Sequence, residues 1–263
     1  MMRRMVQVMR EVRFSPLGPV DRPVGNSWAG WPPAEGVGPW LALEVVAAGE
    51  PDPRTGYLVS ISVLDDLVRR YGIPAAAGLL RAGPCPPERL ALELARVLAV
   101  QTLPRARWVR WRLRTTPLVS CAVEARSMSV VELGECFEFS AAHRLHCPAL
   151  SDEENLRTFG KCNNPAGHGH NYQLEVVLRG EPDAATGVLL PPGELHRVVR
   201  QQVIDRFDHR HLNEDCAEFA ELNPSVENIA AVIWRLLAGR FGRADLARVR
   251  VWETPKTWAE CSG

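Results

Sequence analysis

The sequence predicts an α+β fold made of two similar domains in tandem, each an antiparallel four-stranded sheet with two helices on one face. Three observations favour it: an internal repeat, the same order of elements in both halves, and the confinement of all seven histidines to the second half. Residues 36–58 and 167–189 match at 13 of 23 positions at an offset of 131, without gaps. We therefore place homologous domains at residues 8–127 and 129–263.

The second copy shows the predicted elements most clearly. Residues 130–144 and 172–179 alternate as strands do and are rich in β-branched and aromatic side chains. Apolar residues then recur at helical spacing over 195–207. Ser225 is the expected N-cap of a second helix. Strands over 249–253 and a last short segment complete the order strand, strand, helix, helix, strand, strand.

The first copy repeats this order. We expect helices over 62–71 and 86–101 and a strand over 105–114. The strand alternates apolar residues with arginines, including Arg110 and Arg112. We interpret these arginines as a solvated face. The alternative is that they meet the acidic second domain or an anionic substrate.

Composition excludes several classes of function. The 263 residues carry 31 basic and 31 acidic side chains, and this neutrality does not favour nucleic-acid binding. It conceals an asymmetry, because residues 1–128 hold 17 Arg and 11 acids (+6), whereas residues 129–263 hold 14 basic residues and 20 acids (−6). No apolar run approaches a membrane span. Seven scattered cysteines without an export signal predict reduced thiols and a cytoplasmic location.

Three histidines have the spacing of a metal site. His168 and His170 are two residues apart, so on a strand they project to the same face. His143 comes from the preceding strand and can complete the set. Three imidazoles with an open position are typical of catalytic Zn²⁺. His146 is an alternative ligand that faces the other way on a strand.

Four more residues carry candidate chemistry. Cys162 lies in a turn-rich segment six residues before His168, where a nearby cation would activate its thiol as base or nucleophile. As a fourth zinc ligand it would instead close the site and indicate a structural metal. Asp208 and His209 are adjacent and can relay a proton. Glu253 is an acid within an apolar strand, and a ligand edge with N–H donors would suit it.

These residues lie in motifs that resemble 6-pyruvoyltetrahydropterin synthase and its relative 6-carboxytetrahydropterin synthase. The resemblance covers nearly all of residues 134–263. Its motifs are Phe139-Ser-Ala-Ala-His143-Arg-Leu, Phe159-Gly-Lys-Cys162-Asn-Asn-Pro-Ala-Gly-His168-Gly-His170-Asn-Tyr172, Asp208-His209, Asn223-Pro-Ser-Val-Glu227-Asn228 and Val251-Trp-Glu253-Thr254.

The resemblance implies a zinc-dependent lyase of the tunnelling fold, whose sheets join into a barrel across subunits with active sites between them. The implied substrate is 7,8-dihydroneopterin triphosphate. Loss of triphosphate gives 6-pyruvoyltetrahydropterin or, with cleavage of the side chain, the queuosine precursor 6-carboxytetrahydropterin. The implied partners are this substrate and further copies of the chain, with no nucleic acid and no membrane. The implied roles are zinc binding by His143, His168 and His170, proton abstraction by Cys162, proton relay by Asp208 and His209, and substrate binding by Glu253 and Glu227.

The first copy departs from these motifs at every site position. Val37 and Pro39 replace the paired zinc ligands, Trp31 falls at the place of Cys162, Gly18 near that of His143 and Thr115 near that of Glu253. We expect this domain to bind no zinc and to act as a scaffold. Two rival functions remain open for the whole chain: a non-catalytic pterin-binding or regulatory protein, and a structural zinc protein.

Overall fold

The structure is a computed structural model that describes residues 5–17 and 39–263. The chain divides into two compact units. Unit 1 comprises the residues up to 133 together with 180–189, and unit 2 comprises 134–179 and 190–263. Among the described residues, no helix is long and apolar enough to cross a membrane.

Unit 1 contains a sheet in the order β1-β2-β3-β4, in which each neighbouring pair is antiparallel. Its helices belong to two helical segments, and the first segment contains a π-helical turn at Val68–Gly72. The strands are β1 (Val6–Phe14), β2 (Leu41–Gly49), β3 (Ala106–Arg114) and β4 (Val119–Glu124), and the helices are α1 (Ile61–Leu67), α2 (Ile73–Ala82) and α3 (Pro87–Ala99).

The core of unit 1 lies between the sheet and α3. Pro87 opens α3, where its missing N–H costs nothing. The apolar stripe predicted from the sequence is buried, with Leu94 and Leu98 inaccessible to solvent. On the strands, Arg110 forms ion pairs with Glu124 and Glu132 at 3.5 and 2.8 Å, and both partners belong to unit 1. Glu124 lies in the predicted first domain and Glu132 in the predicted second domain, so this pairing does not decide between the two interpretations of Arg110.

Unit 2 has the strand order β5-β6-β8-β9, and a two-residue strand, β7, pairs parallel with β5. The pairs β6–β8 and β8–β9 are antiparallel. A π-helical turn at Arg200–Ile204 again interrupts the first long helical segment. The strands are β5 (Val131–His143), β6 (His168–Gly180), β7 (Arg210–His211), β8 (Asp245–Thr254) and β9 (Thr257–Ser262), and the helices are α4 (Asp152–Phe159), α5 (Glu194–Val199), α6 (Asp205–Phe207), α7 (Leu212–Asp215) and α8 (Val226–Leu237).

Most predicted elements are present, with four differences. The helix predicted over 62–71 continues through α2 to Ala82. The second strand of unit 2 begins at His168 rather than Tyr172, which places the paired histidines on β6 as the metal-site argument assumed. Helix α4 was not predicted, and neither were the short elements β7 and α7. The predicted cap of α8 is confirmed, because the Ser225 hydroxyl accepts a hydrogen bond from the Asn228 amide.

The sheet is open rather than a closed barrel. Among the described residues, β1 pairs with β2 alone and β9 pairs with β8 alone. The expected barrel across subunits therefore stays a prediction, as does the tandem arrangement of the domains.

The two units nevertheless share local details at corresponding positions. The strand register shifts between Val46 and Ala47 in unit 1 and between Val177 and Leu178 in unit 2, an offset of 131. Val46 pairs with Arg110, and Val177 pairs with Arg248. Thr115 lies five residues after Arg110, and Glu253 lies five residues after Arg248. This register supports the correspondence of Thr115 with Glu253.

The repeated Gly-Glu-Pro-Asp turn also has the same hydrogen bonds in both places. The Gly56 amide donates to the Asp52 carbonyl at 2.7 Å, and the Gly187 amide donates to the Asp183 carbonyl at 2.7 Å. Both glycines have positive φ, 74° and 77°. Each aspartate carboxylate accepts two further amides from the turn, as an Asx-turn requires. Three other positions compared between the copies, Gly18, Trp31 and Val37, lie outside the described residues.

Candidate metal centre and active site

The three predicted ligands lie together. His143 ends β5, and His168 and His170 begin the neighbouring strand β6. One ring nitrogen from each lies within 4.8 Å of the others, and the Nε2 atoms of His143 and His168 are 3.2 Å apart. The alternation of β6 places His168 and His170 on one face, as the sequence predicted.

The surroundings of His143 set its protonation. Its side chain is fully buried, and its Nδ1–H donates to the Pro224 carbonyl at 2.7 Å. Burial lowers the pKa of His143 to about 4, and the neighbouring imidazoles act in the same direction. His143 is therefore neutral near pH 7, and its Nε2 carries a free lone pair toward the other two rings.

The donor set fits a metal ion. The Nε2 atom of His170 is buried and has no hydrogen-bond partner among the described residues. A buried polar atom without a partner is costly, and a metal would satisfy it. Burial lowers the pKa of His170 against the opposing effect of Glu253, so this imidazole is also available as a neutral ligand.

Glu253 lies closer to this cluster than its expected role suggested. Its Oε1 is 3.4 Å from His143 Nε2 and 3.5 Å from His170 Nε2. Only a fifth of the side chain is exposed. A carboxylate at this place can balance a bound cation, and it can also accept hydrogen bonds from a ligand beside the metal.

Cys162 lies on a 3₁₀ turn, Gly160–Asn163, and is half-buried with a free thiol. Its carbonyl accepts a hydrogen bond from the Leu145 amide at 2.9 Å, which joins the turn to the segment after His143. The Tyr172 hydroxyl lies 3.4 Å from His143 Nδ1, beside the metal cluster. Burial raises the pKa of the Tyr172 phenol far above its usual value. The negative charges of Glu253 and of an ionised Cys162 would raise it further.

Asp208 and His209 form the expected pair. Asp208 Oδ2 is 3.0 Å from His209 Nδ1, and Asp208 Oδ1 accepts the Ser140 amide at 2.8 Å. The Ser140 amide, and then His209, lower the pKa of Asp208. The His209 side chain is 82% exposed and its backbone has a positive φ of 57°. Within the described part of the chain, no hydrogen bond or ion pair joins either residue to the three imidazoles or to Cys162.

The remaining predicted residues lie apart from the cluster. Glu227 is exposed in the first turn of α8. The alternative ligand His146 is outside the group of three, and its Nδ1 lies 3.0 Å from Asn163 Oδ1.

Sequence reasoning missed several residues that shape the site. His211 packs against the start of β6, so that a Cβ on Gly167 would lie 2.7 Å from its Nε2. The register of β7 beside β5 brings His211 there, and no periodicity in the sequence indicates a two-residue strand. A cavity of about 510 Å³ borders this region, lined among others by Ser140, His170, Asn171, His209, Arg210 and His211.

Comparison with known proteins identifies a family for the second half of the chain. The family model described as 6-pyruvoyl tetrahydropterin synthase matches residues 132–263. A Drosophila melanogaster protein named 6-pyruvoyl tetrahydrobiopterin synthase is 44% identical over 119 residues, which cover 45% of this chain and 71% of that protein. An Archaeoglobus fulgidus protein named putative 6-carboxy-5,6,7,8-tetrahydropterin synthase is 33% identical over 128 residues, covering 49% of this chain and 92% of that protein.

Among solved structures, Caenorhabditis elegans 6-pyruvoyl tetrahydropterin synthase aligns with 39% identity and a TM-score of 0.48, over 51% of this chain and 96% of that one. The matched family segment contains all eight predicted site residues, from His143 to Glu253. The chain therefore belongs to the 6-pyruvoyl tetrahydropterin synthase family of enzymes.

Proposed function

We propose that the chain is a zinc-dependent lyase that acts on 7,8-dihydroneopterin triphosphate and eliminates triphosphate. One observation carries the proposal: in a member of this family, one ring nitrogen from each of three histidines lies within 4.8 Å of the others, and the buried His170 Nε2 has no hydrogen-bond partner among the described residues. Three nitrogen ligands leave a position open for substrate, which a structural zinc site with four protein ligands would not. Cys162 is not in the group of three, which favours a catalytic over a structural metal.

His143, His168 and His170 would hold the zinc, which when bound polarises a substrate oxygen and acidifies the adjacent C–H bond. Cys162 would take the proton from that carbon, and Asp208 with His209 would move protons afterwards. Glu253 would accept hydrogen bonds from the N–H edge of the pterin, and Glu227 would contribute to the substrate pocket.

The product distinguishes two branches of the family. Elimination with internal rearrangement gives 6-pyruvoyltetrahydropterin, whereas additional loss of acetaldehyde gives 6-carboxytetrahydropterin. The higher identity to the Drosophila protein and the Cys-x₅-His-Gly-His spacing favour the pyruvoyl product. The test is to incubate the zinc-loaded protein with 7,8-dihydroneopterin triphosphate and identify the pterin by mass, with Cys162→Ala as the control.

Release of triphosphate that depends on Cys162 is the expected result. Pterin binding without triphosphate release would overturn the proposal in favour of a binding or regulatory protein. Full activity of a zinc-loaded Cys162→Ala variant would show that another group is the base.

We also propose that the two units arose by tandem duplication and that unit 1 serves as a scaffold. The matching register shifts, π-helical turns and Asx-turns support this history. Antiparallel edge strands need partners, and a second copy of the chain would supply them.

The same assembly would place active sites between subunits. Among the described residues, no hydrogen bond or ion pair joins the exposed His209 to Cys162, which supports this arrangement. Mixed oligomers of the inactive variants Cys162→Ala and His209→Ala should recover part of the activity if the two residues act across an interface. Activity that stays at the background of the separate variants would contradict a shared site.

A further inference from the structure

The three residues that follow the metal ligand His143 grip the turn that carries Cys162. Arg144 Nε donates to the Asn163 carbonyl at 3.2 Å, and its Nη2 donates to Asn163 Oδ1 at 3.2 Å. Leu145 donates its amide to the Cys162 carbonyl at 2.9 Å. His146 Nδ1 lies 3.0 Å from Asn163 Oδ1 and 3.3 Å from Arg144 Nη2, so the tautomer of His146 decides which of the two contacts is a hydrogen bond. In either tautomer of His146, three hydrogen bonds hold the two residues Cys162 and Asn163.

The guanidinium of Arg144 is suited to this contact. It addresses two oxygens of the same residue, one on the backbone and one on the side chain of Asn163. A planar fork of donors matches that pair, whereas the compact ammonium of lysine sits on a flexible stem and cannot reproduce both directions. The two Arg144 hydrogen bonds therefore fix both the orientation of Asn163 and its distance from Arg144, and Asn163 directly follows Cys162.

The gripping segment is itself held from its other side. Asn213 pairs with the backbone of Arg144 in both directions, accepting its amide at 2.8 Å and donating to its carbonyl at 3.0 Å. Asn223 accepts the His146 amide at 3.2 Å. Asn223 also directly precedes Pro224, whose carbonyl orients His143. The segment cannot shift without disturbing these contacts, so it transmits a defined position to Cys162.

We propose that Arg144 is a positioning residue that fixes the Cys162 thiol relative to the metal site, acting through Asn163. The proposal rests on the proposed function in taking Cys162 as the base. His143 has its own anchor in the Pro224 carbonyl, so the loss of Arg144 should leave metal binding intact while misplacing the thiol. Misplacement by about 1 Å can lower a rate about 100-fold.

The experiment compares Arg144→Lys, Asn163→Ala and Asn163→Asp with the wild type in the full, zinc-loaded protein. Arg144→Lys and Asn163→Ala should lower kcat about 100-fold with little change in KM or zinc content. Asn163→Asp keeps an acceptor for Arg144 and should retain most of the activity. Arg157→Gln, an exposed arginine on α4, is the matched control and should behave as the wild type.

A second readout does not depend on turnover. Alkylation of Cys162 by iodoacetamide, followed by peptide mass, should become several-fold faster in Arg144→Lys, while the other six cysteines serve as internal references. Unchanged kcat and unchanged alkylation would overturn the proposal. Loss of zinc together with activity would also overturn it, because Arg144 would then maintain the metal site. If the wild type had no lyase activity, the proposed function would be wrong. Faster alkylation in Arg144→Lys would then still support the positioning of Cys162 by Arg144.

Discussion

Replacing Gly167 with alanine should destabilise unit 2 and weaken its metal site. Gly167 directly precedes the ligand His168 and has a φ of +69°. A Cβ at this position would lie 2.7 Å from His211 Nε2 and 3.0 Å from the His143 carbonyl oxygen. The His211 ring can rotate away, but the His143 carbonyl belongs to the backbone of a strand and cannot.

The magnitude follows from two costs. A non-glycine residue in the left-handed region costs about 1 to 2 kcal/mol. Crowding a packed site with an extra carbon adds about 1 to 3 kcal/mol. Gly167→Ala should therefore lower the free energy of unfolding by about 2 to 5 kcal/mol. The strain should also move His168 and weaken zinc binding.

Gly193 provides the matched control. Its φ is +79°, but a Cβ there would have nothing within 4 Å. Gly193→Ala should therefore cost only the conformational part, about 1 to 2 kcal/mol, and leave zinc binding unchanged. Urea unfolding of the metal-free proteins and zinc titration of the folded ones measure both effects. Equal destabilisation by the two variants, or wild-type zinc affinity in Gly167→Ala, would refute the steric reasoning.

Three further substitutions test other parts of the molecule. Ser225→Ala removes the N-cap of α8 and should lower stability by about 1 kcal/mol in thermal unfolding, whereas Ser225→Asp should retain it. Glu253→Gln should weaken binding of a pterin about 10- to 100-fold by calorimetry while zinc stays bound; zinc loss instead would assign Glu253 to the metal. Asp208→Asn should weaken the fall in the free energy of unfolding as the pH is lowered. The Ser140 amide holds the folded pKa of Asp208 below the usual aspartate value of 3.8, so the stability that Asp208 contributes is present above that pH and is lost as pH falls through the lower folded pKa. The same pH dependence of unfolding in Asp208→Asn and the wild type would show that the Ser140 contact does not contribute to stability.

The main strands and helices were predictable because their side chains repeat with a clear period. Helix α4 shows where this signal ends. Only Leu156 and Phe159 are large apolar residues in its eight positions, so no apolar stripe announces it. Its start was nevertheless visible, since Ser151 and Glu154 form a capping box in the structure and have the spacing of one in the sequence.

The candidate site divides in the same way. The two-residue spacing predicts that His168 and His170 share one face of a strand. The position of His143 on the preceding strand predicts that it can approach them. The orienting group on His143 was beyond reach, because it is the backbone carbonyl of Pro224 and any residue there has one. The grip on Cys162 was equally hidden, since it joins Arg144 to Asn163 across a loop whose path follows from tertiary structure.

Zinc should slow amide exchange in unit 2 and not in unit 1, because all three residues that could bind it lie in unit 2. The turns around Asp52 and Asp183 satisfy their own backbone groups, whereas the buried His170 Nε2 in unit 2 has no hydrogen-bond partner among the described residues and would gain one interaction from a metal. A ligand at 1,000 times its Kd stabilises the state that binds it by about 4 kcal/mol. Amide exchange that requires opening of β6 should slow up to about 1,000-fold with zinc, while exchange in β2 of unit 1 should not change. Slowing of both strands would show that unit 1 also binds the metal, and slowing of neither would remove the metal centre from the proposal.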